Sequence, residues 1–199
     1  MEKTCKLIVL GDSGVGKTTI IHKYVYDEYR VDFKATIGAD FSSKSIQISE
    51  NETLELNIWD TAGEERFHSI GAMFYRGVEA AILVYDITQV ESFKHIIKWK
   101  NDLCLKAGLG NDEKIPIIVF GNKLDLANQR EVTDDEIRTL KQEHDLDVVE
   151  ISSKTGEGIE EGFKKIIDMF LESYNEKNAI TSCSQLTLTE NNNEKKGCC

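Results

Sequence analysis

The chain is predicted to be an α/β protein, with a six-stranded, mostly parallel sheet and helices on both faces. Two observations predict it. Apolar runs alternate with stretches of helical periodicity along the first 172 residues. Several of these runs, such as Ile82-Leu83-Val84 and Ile117-Ile118-Val119, are continuously apolar, as a parallel strand buried on both faces requires. Such an alternation gives helices covering a parallel sheet, with ligands at the carboxyl ends of the strands.

Each element follows in order. Strands are expected at Lys6–Leu10, Phe41–Ile48, Leu54–Asp60, Ala80–Asp86, Ile115–Phe120 and Val148–Ile151. Leu54, Leu56 and Ile58 alternate with polar residues, so that strand has two unlike faces. Helices are expected near 17–26, 69–75, 91–106 and 133–144. The last helix carries Ile159, Phe163, Ile166, Ile167 and Phe170 at i, i+4, i+7, i+8 and i+11, one apolar stripe for the core. Beyond about Tyr174 the periodicity stops, and Asn, Ser, Thr and Glu dominate. The chain therefore divides into a domain, 1–172, and a tail, 173–199, expected to be disordered.

Composition excludes several functions. The net charge is −11, and the tail is neutral, with Glu176, Glu190 and Glu194 set against Lys177, Lys195 and Lys196. The acidity sits on the domain, which argues against nucleic acid as a partner and against electrostatic attraction to an anionic membrane. There is no apolar run of about 18 residues and no signal-peptide core, so a cytosolic site of synthesis is expected. Five cysteines, Cys5, Cys104, Cys183, Cys198 and Cys199, lack metal-ligand spacing, and no disulfide framework is expected.

The chemistry is concentrated after the strands. Residues 11–18 read Gly-Asp-Ser-Gly-Val-Gly-Lys-Thr, a complete GxxxxGK[ST] phosphate loop between an apolar strand and an amphipathic helix. Amide groups of Ser13, Gly14, Val15, Gly16, Lys17, Thr18 and Thr19 would converge on a nucleotide phosphate at a helix N-terminus. Lys17 can reach the β- and γ-phosphates, and the Thr18 hydroxyl can coordinate Mg²⁺. Asp60-Thr61-Ala62-Gly63 ends another strand. Read alone it is an ordinary turn; beside the phosphate loop, Asp60 becomes a metal-side acidic residue and Gly63 an amide for the γ-phosphate. Asn122-Lys123-Leu124-Asp125 follows the fifth strand. The Asp125 carboxylate can accept two hydrogen bonds from guanine N1–H and N2–H₂. Adenine offers neither, and a hydrogen-bond-reading site of that kind discriminates by roughly 10⁴–10⁵. The Lys123 stem can pack over the flat base.

These motifs, with Ser152-Ser153-Lys154 after the last strand, resemble a small GTPase of the Ras superfamily, a phosphate-loop NTPase fold. Trp59 to Gly63, Glu65-Arg66-Phe67, Phe74-Tyr75-Arg76-Gly77 and the terminal Cys198-Cys199 resemble its Rab branch, and Thr36 to Phe41 is similar to the late-endosomal and lysosomal members. The resemblance covers 1–172 as domain and 198–199 as signal. It implies GTP/GDP and Mg²⁺ as ligands, and GTP hydrolysis that regulates vesicle traffic. Thr36 would be the switch I threonine reaching Mg²⁺ when γ-phosphate is bound, and Asp60 to about Tyr75 would form switch II. Tyr29 would pack on the base edge, and Ser153 would offer an amide to guanine O6. Phe41, Trp59 and Phe74 would form the aromatic trio of the effector face. It further implies an exchange factor, a GTPase-activating protein, a GDP-dissociation inhibitor or escort protein, and membrane attachment by geranylgeranyl groups on Cys198 and Cys199.

The sequence departs from the pattern at three places. Glu64 stands where the family has the glutamine that orients the attacking water, Phe33 where a tyrosine is usual, and Ser153 where an alanine is usual. Activators of the Rab branch are understood to supply Arg and Gln in trans, so Glu64 need not lock the protein on. Glu64 also leaves room for another reading, a module that binds GTP with negligible turnover. A nucleotide kinase is disfavoured, because no cluster of lid arginines follows the phosphate loop. Two lipid chains anchor stably where one does not, and a flexible tail of about 27 residues spans roughly 30 Å.

Overall fold

The computed structural model describes residues 2–29, 36, 38–61, 72–110 and 114–190. Strands β1 (Glu2–Gly11), β2 (Ala39–Ser49), β3 (Glu52–Thr61), β4 (Ala80–Asp86), β5 (Ile117–Asn122) and β6 (Asp147–Glu150) form one sheet in the order β2-β3-β1-β4-β5-β6. Only β2 runs antiparallel, paired to β3 across a short hairpin. The other pairings are parallel.

The two faces of the sheet are separated by the period-2 alternation of its central strands. Leu7 and Val9 of β1, Ile82 and Val84 of β4, and Ile118 and Phe120 of β5 face α1 (Lys17–Tyr26) and α6 (Ile159–Glu190). Ile8 and Leu10, Leu83 and Tyr85, and Val119 face α2 (Ala72–Tyr75), α3 (Val90–Lys94), α4 (Ile96–Ala107) and α5 (Asp134–His144). Every residue of β4 is buried, as its unbroken apolar run predicts. On the α6 side, Tyr24 of α1 stacks on Phe163, ring centroids 3.6 Å apart, and Phe120 meets Phe163 edge-on.

Several boundaries differ from the sequence expectation. β5 begins at Ile117, because Pro116 has no N–H to give to a ladder. The helix expected over 91–106 is divided at His95 into α3 and α4. The largest difference is α6, whose backbone stays helical to Glu190, where disorder was expected from 173 onward. From Phe163 to Lys196 the sequence contains neither glycine nor proline, so nothing local terminates the helix. Among the described side chains, its last core contacts are made by Phe170, Leu171 and Tyr174, with Lys3 Nζ of β1 over the Tyr174 ring at 5.6 Å. Among the described residues, no helix is long and apolar enough to cross a membrane.

Candidate nucleotide and metal site

The carboxyl ends of β1, β3, β4, β5 and β6 lie along one edge of the sheet, where β1 is flanked by β3 on one side and β4 on the other. β1 ends in Gly11, where a Cβ would lie 2.3 Å from the Val84 carbonyl oxygen, so only glycine fits. Gly16 has φ of 98°, and a Cβ there would lie 2.4 Å from Asn122 Nδ2. That residue is the N-cap of α1, and no side chain caps the helix. The first-turn amides of α1 therefore remain for an anion, at the positive end of the helix dipole.

Lys17 is buried, 6 % exposed, and its Nζ donates to the carbonyls of Gly11 and Asp12, both at 2.8 Å. Burial lowers its pKa to about 8, opposed by the negative charges of Asp60 and Asp12. The amine is thus held inside the loop as a cation with few anionic partners. Ser13 and Gly14 are exposed, Val15 is buried, and Thr18 and Thr19 are half-buried.

Three oxygens meet beside it. Thr18 Oγ1 donates to Asp60 Oδ2 at 2.5 Å, Thr36 Oγ1 donates to the same atom at 3.2 Å, and the two hydroxyls are 3.0 Å apart. Asp60 Oδ1 is buried and has no hydrogen-bond partner among the described residues. Burial raises the Asp60 pKa, against the opposing effects of Thr18, Lys17 and Thr36. No group of three or more His, Cys, Asp or Glu comes together among the described residues, so this donor set is one carboxylate with two hydroxyls. An all-oxygen set with one orphaned carboxylate oxygen fits Mg²⁺, which takes few protein ligands and leaves the rest to water and phosphate. A cation there would also reverse the cost of burying the Asp60 charge.

At the base end the Asn122 side chain is fully engaged by protein. Its Nδ2 donates to Val15 O at 2.8 Å and to Ser153 Oγ at 3.2 Å, while its Oδ1 accepts from Ser153 N at 2.9 Å. Asn122 therefore ties the phosphate loop to the β6–α6 loop. Asp125 accepts from Ser152 Oγ at 2.6 Å through one oxygen and stands 3.8 Å from the exposed Lys154 through the other. Lys123 adopts φ of 71°, and its Nζ lies 2.5 Å from Asp86 Oδ2. Tyr29 is exposed.

Sequence reasoning missed Asp86, a fully buried carboxylate that also accepts from the Thr88 amide and hydroxyl. The signal was present: Asp86 ends a buried parallel strand. The aromatic trio is contiguous, with Phe41–Trp59 and Trp59–Phe74 ring centroids 5.3 and 5.5 Å apart. Phe41 is half exposed, and Met73 beside Phe74 in the sequence is exposed too. Phe33, Gly63, Glu64, Cys198 and Cys199 lie outside the described residues.

The Ras family model matches residues 6–172. The chain is 37 % identical over 163 residues to the Ypt/Rab-type GTPase YPT7 of Saccharomyces cerevisiae, covering 81 % of this chain and 78 % of that protein. It is 38 % identical over 189 residues to the Ras-related protein Rab7 of Drosophila melanogaster, covering 94 % and 91 %. With the Ras-related protein Rab7 of Pisum sativum the identity is 41 % over 175 residues, covering 86 % and 84 %.

Proposed function

The chain belongs to the Ras family, in its Rab branch, and from that premise we propose a membrane-traffic switch whose parts are assigned below. It binds guanine nucleotide, hydrolyses GTP and acts in vesicle transport associated with the late endosome and lysosome. Relatives named as GTPases leave the alternative of a module without turnover unsupported.

The observation that carries the residue assignment is the convergence of the Lys17 amine with the Thr18–Thr36–Asp60 oxygen cluster at the head of α1. In our reading, Lys17 and the amides of Ser13 to Thr19 hold the phosphates and take up charge as the bond to the leaving oxygen breaks. Thr18 and Thr36 would ligate Mg²⁺, with Asp60 as the acidic residue on the metal side. When bound, the ion neutralises charge developing on the phosphate oxygens. Asp125 and the Ser153 amide read the guanine edge, with the Lys123 stem and Tyr29 flanking the base. Ser152 and Lys154 orient Asp125, and Asn122 holds the two loops together. Gly63 meets the γ-phosphate. Glu64 accepts a hydrogen bond from the attacking water. Thr36 would be held at the ion only while the γ-phosphate is bound, so its loss would release switch I while Thr18 stays on α1.

The domain spans 1–172, and the tail 173–199 tethers it, with Cys198 and Cys199 as the lipid-bearing residues at the cytoplasmic face. An exchange factor, a GTPase-activating protein and a GDP-dissociation inhibitor or escort protein act on this cycle, and effectors read Phe41, Trp59 and Phe74. No nucleic acid takes part.

Single-turnover hydrolysis of γ-labelled GTP by the Mg²⁺-loaded protein, beside Glu64→Gln, tests the assignment. Slow phosphate release that differs between the two, and that an activating protein accelerates, is expected. Equal rates with and without activator would remove Glu64 from the reaction. No release from either protein would remove the timed switch.

A further inference from the structure

Asp12 is engaged at both ends. Its main-chain carbonyl accepts from Lys17 Nζ at 2.8 Å. Its carboxylate accepts from Trp99 Nε1 at 2.8 Å through one oxygen and meets His95 Nδ1 at 2.7 Å through the other. His95 stands at the junction of α3 and α4, and Trp99 one turn further on. Trp99 is 8 % exposed and belongs to the core under the sheet, so its ring is fixed by packing. The His95 side chain is 40 % exposed.

We propose that His95 and Trp99 are positioning residues that set how long nucleotide stays bound, acting on the phosphate loop through Asp12. Ser13 and Gly14 are exposed, and Asn122 holds the loop at Val15, on the other side from Asp12. Asp12 is the loop residue whose side chain is grasped from the α3–α4 junction, and each of its carboxylate oxygens has a ring nitrogen as partner. Hydrogen bonds to a charged acceptor are the stronger kind. Releasing the carboxylate frees Asp12 to turn, and its carbonyl, one of the two that aim the Lys17 amine, turns with it. The α3–α4 junction thereby governs nucleotide lifetime from outside both switch segments.

This inference rests on the reading that the loop holds guanine nucleotide. Its test is the release rate of a fluorescent GDP analogue from the full chain in Mg²⁺, chased with excess GDP. His95→Ala and Trp99→Phe are each expected to speed release about tenfold, the loss of one hydrogen bond to a charged group. His95→Asn, which keeps a side-chain donor, is expected to restore most of the lifetime. In an Asp12→Ala background neither substitution has any further effect, since the cycle isolates the pairwise contribution. Thermal melts of each variant show that it is folded; if Trp99→Phe is not, the His95 series carries the test alone. Unchanged release in the folded variants overturns the proposal. So does equal acceleration in the Asp12→Ala background, which would mean that the rings act by packing. A wild-type chain that fails to retain the analogue at all would instead overturn the nucleotide reading itself.

Discussion

Replacing Asn122 by alanine probes the join between the two ends of the site. Asn122 is fully buried and makes three hydrogen bonds, to Val15 O, to Ser153 Oγ and from Ser153 N. The Ser153 hydroxyl can turn to another partner. The Val15 carbonyl and the Ser153 amide belong to buried residues and would be left short of one. Each stranded buried group costs about 1–3 kcal/mol, so about 2–6 kcal/mol is expected for the pair. A domain whose net stability is about 5–15 kcal/mol feels that strongly. Urea unfolding at fixed, saturating GDP and Mg²⁺ reads it out, because bound ligand itself adds stability by mass action. With a slope of about 2 kcal/mol/M, the midpoint is expected to fall by about 1–3 M at unchanged slope. Asn122→Asp is expected to be no milder, since it places an oxygen against the Val15 carbonyl. A midpoint within about 0.3 M of wild type, with GDP affinity unchanged, would refute the idea that Asn122 couples the loops.

Gly16→Ala combines a φ of 98° with a Cβ 2.4 Å from Asn122 Nδ2, and GDP affinity is expected to fall at least about tenfold in a fluorescence titration. Thr18→Ala removes a hydroxyl from the oxygen cluster; chelation of Mg²⁺ is expected to accelerate GDP release from wild type much more than from the variant. Lys17 has its pKa lowered to about 8 by burial, so the free protein loses this charge as pH rises past 8. Phosphate affinity is expected to decline above that pH, by at most about tenfold per unit. Folding has the opposite sign: the unfolded chain holds the proton to higher pH, so this group adds stability between about pH 8 and its ordinary value of 10.5. Phe163→Ala deletes a fully buried ring stacked on Tyr24, costing about 3–5 kcal/mol, and calorimetry is expected to show a melting point lower by about 6–20 °C.

Much of the fold was legible because its signals are local. The buried runs of β4 and β5, the alternation of β3 and the stripe from Ile159 to Phe170 each announce a period that the neighbouring residues alone define. The phosphate loop is equally local, since strand, glycines, lysine and helix lie within 20 residues. Asp60 was legible by its place at a strand end. Asn122 was legible as a strand-end polar residue, while its bonds to Val15 and Ser153 were not, because they join segments distant in sequence. The end of α6 was not legible in the apolar pattern, because a loss of apolar periodicity ends packing, whereas a helix ends where a breaker or a cap ends it.

By itself, then, the sequence determined the class of sheet, the order of its strands along the chain and the residue types placed at their carboxyl ends. Tertiary structure alone decided which of those residues touch. Asp12 meets His95 and Trp99 across 83 and 87 residues, Asn122 reaches Val15 across 107, and Thr18 reaches Asp60 across 42. No periodicity or spacing encodes such pairs. They arise because parallel strands bring their carboxyl ends, and the loops that follow them, to one edge of one sheet.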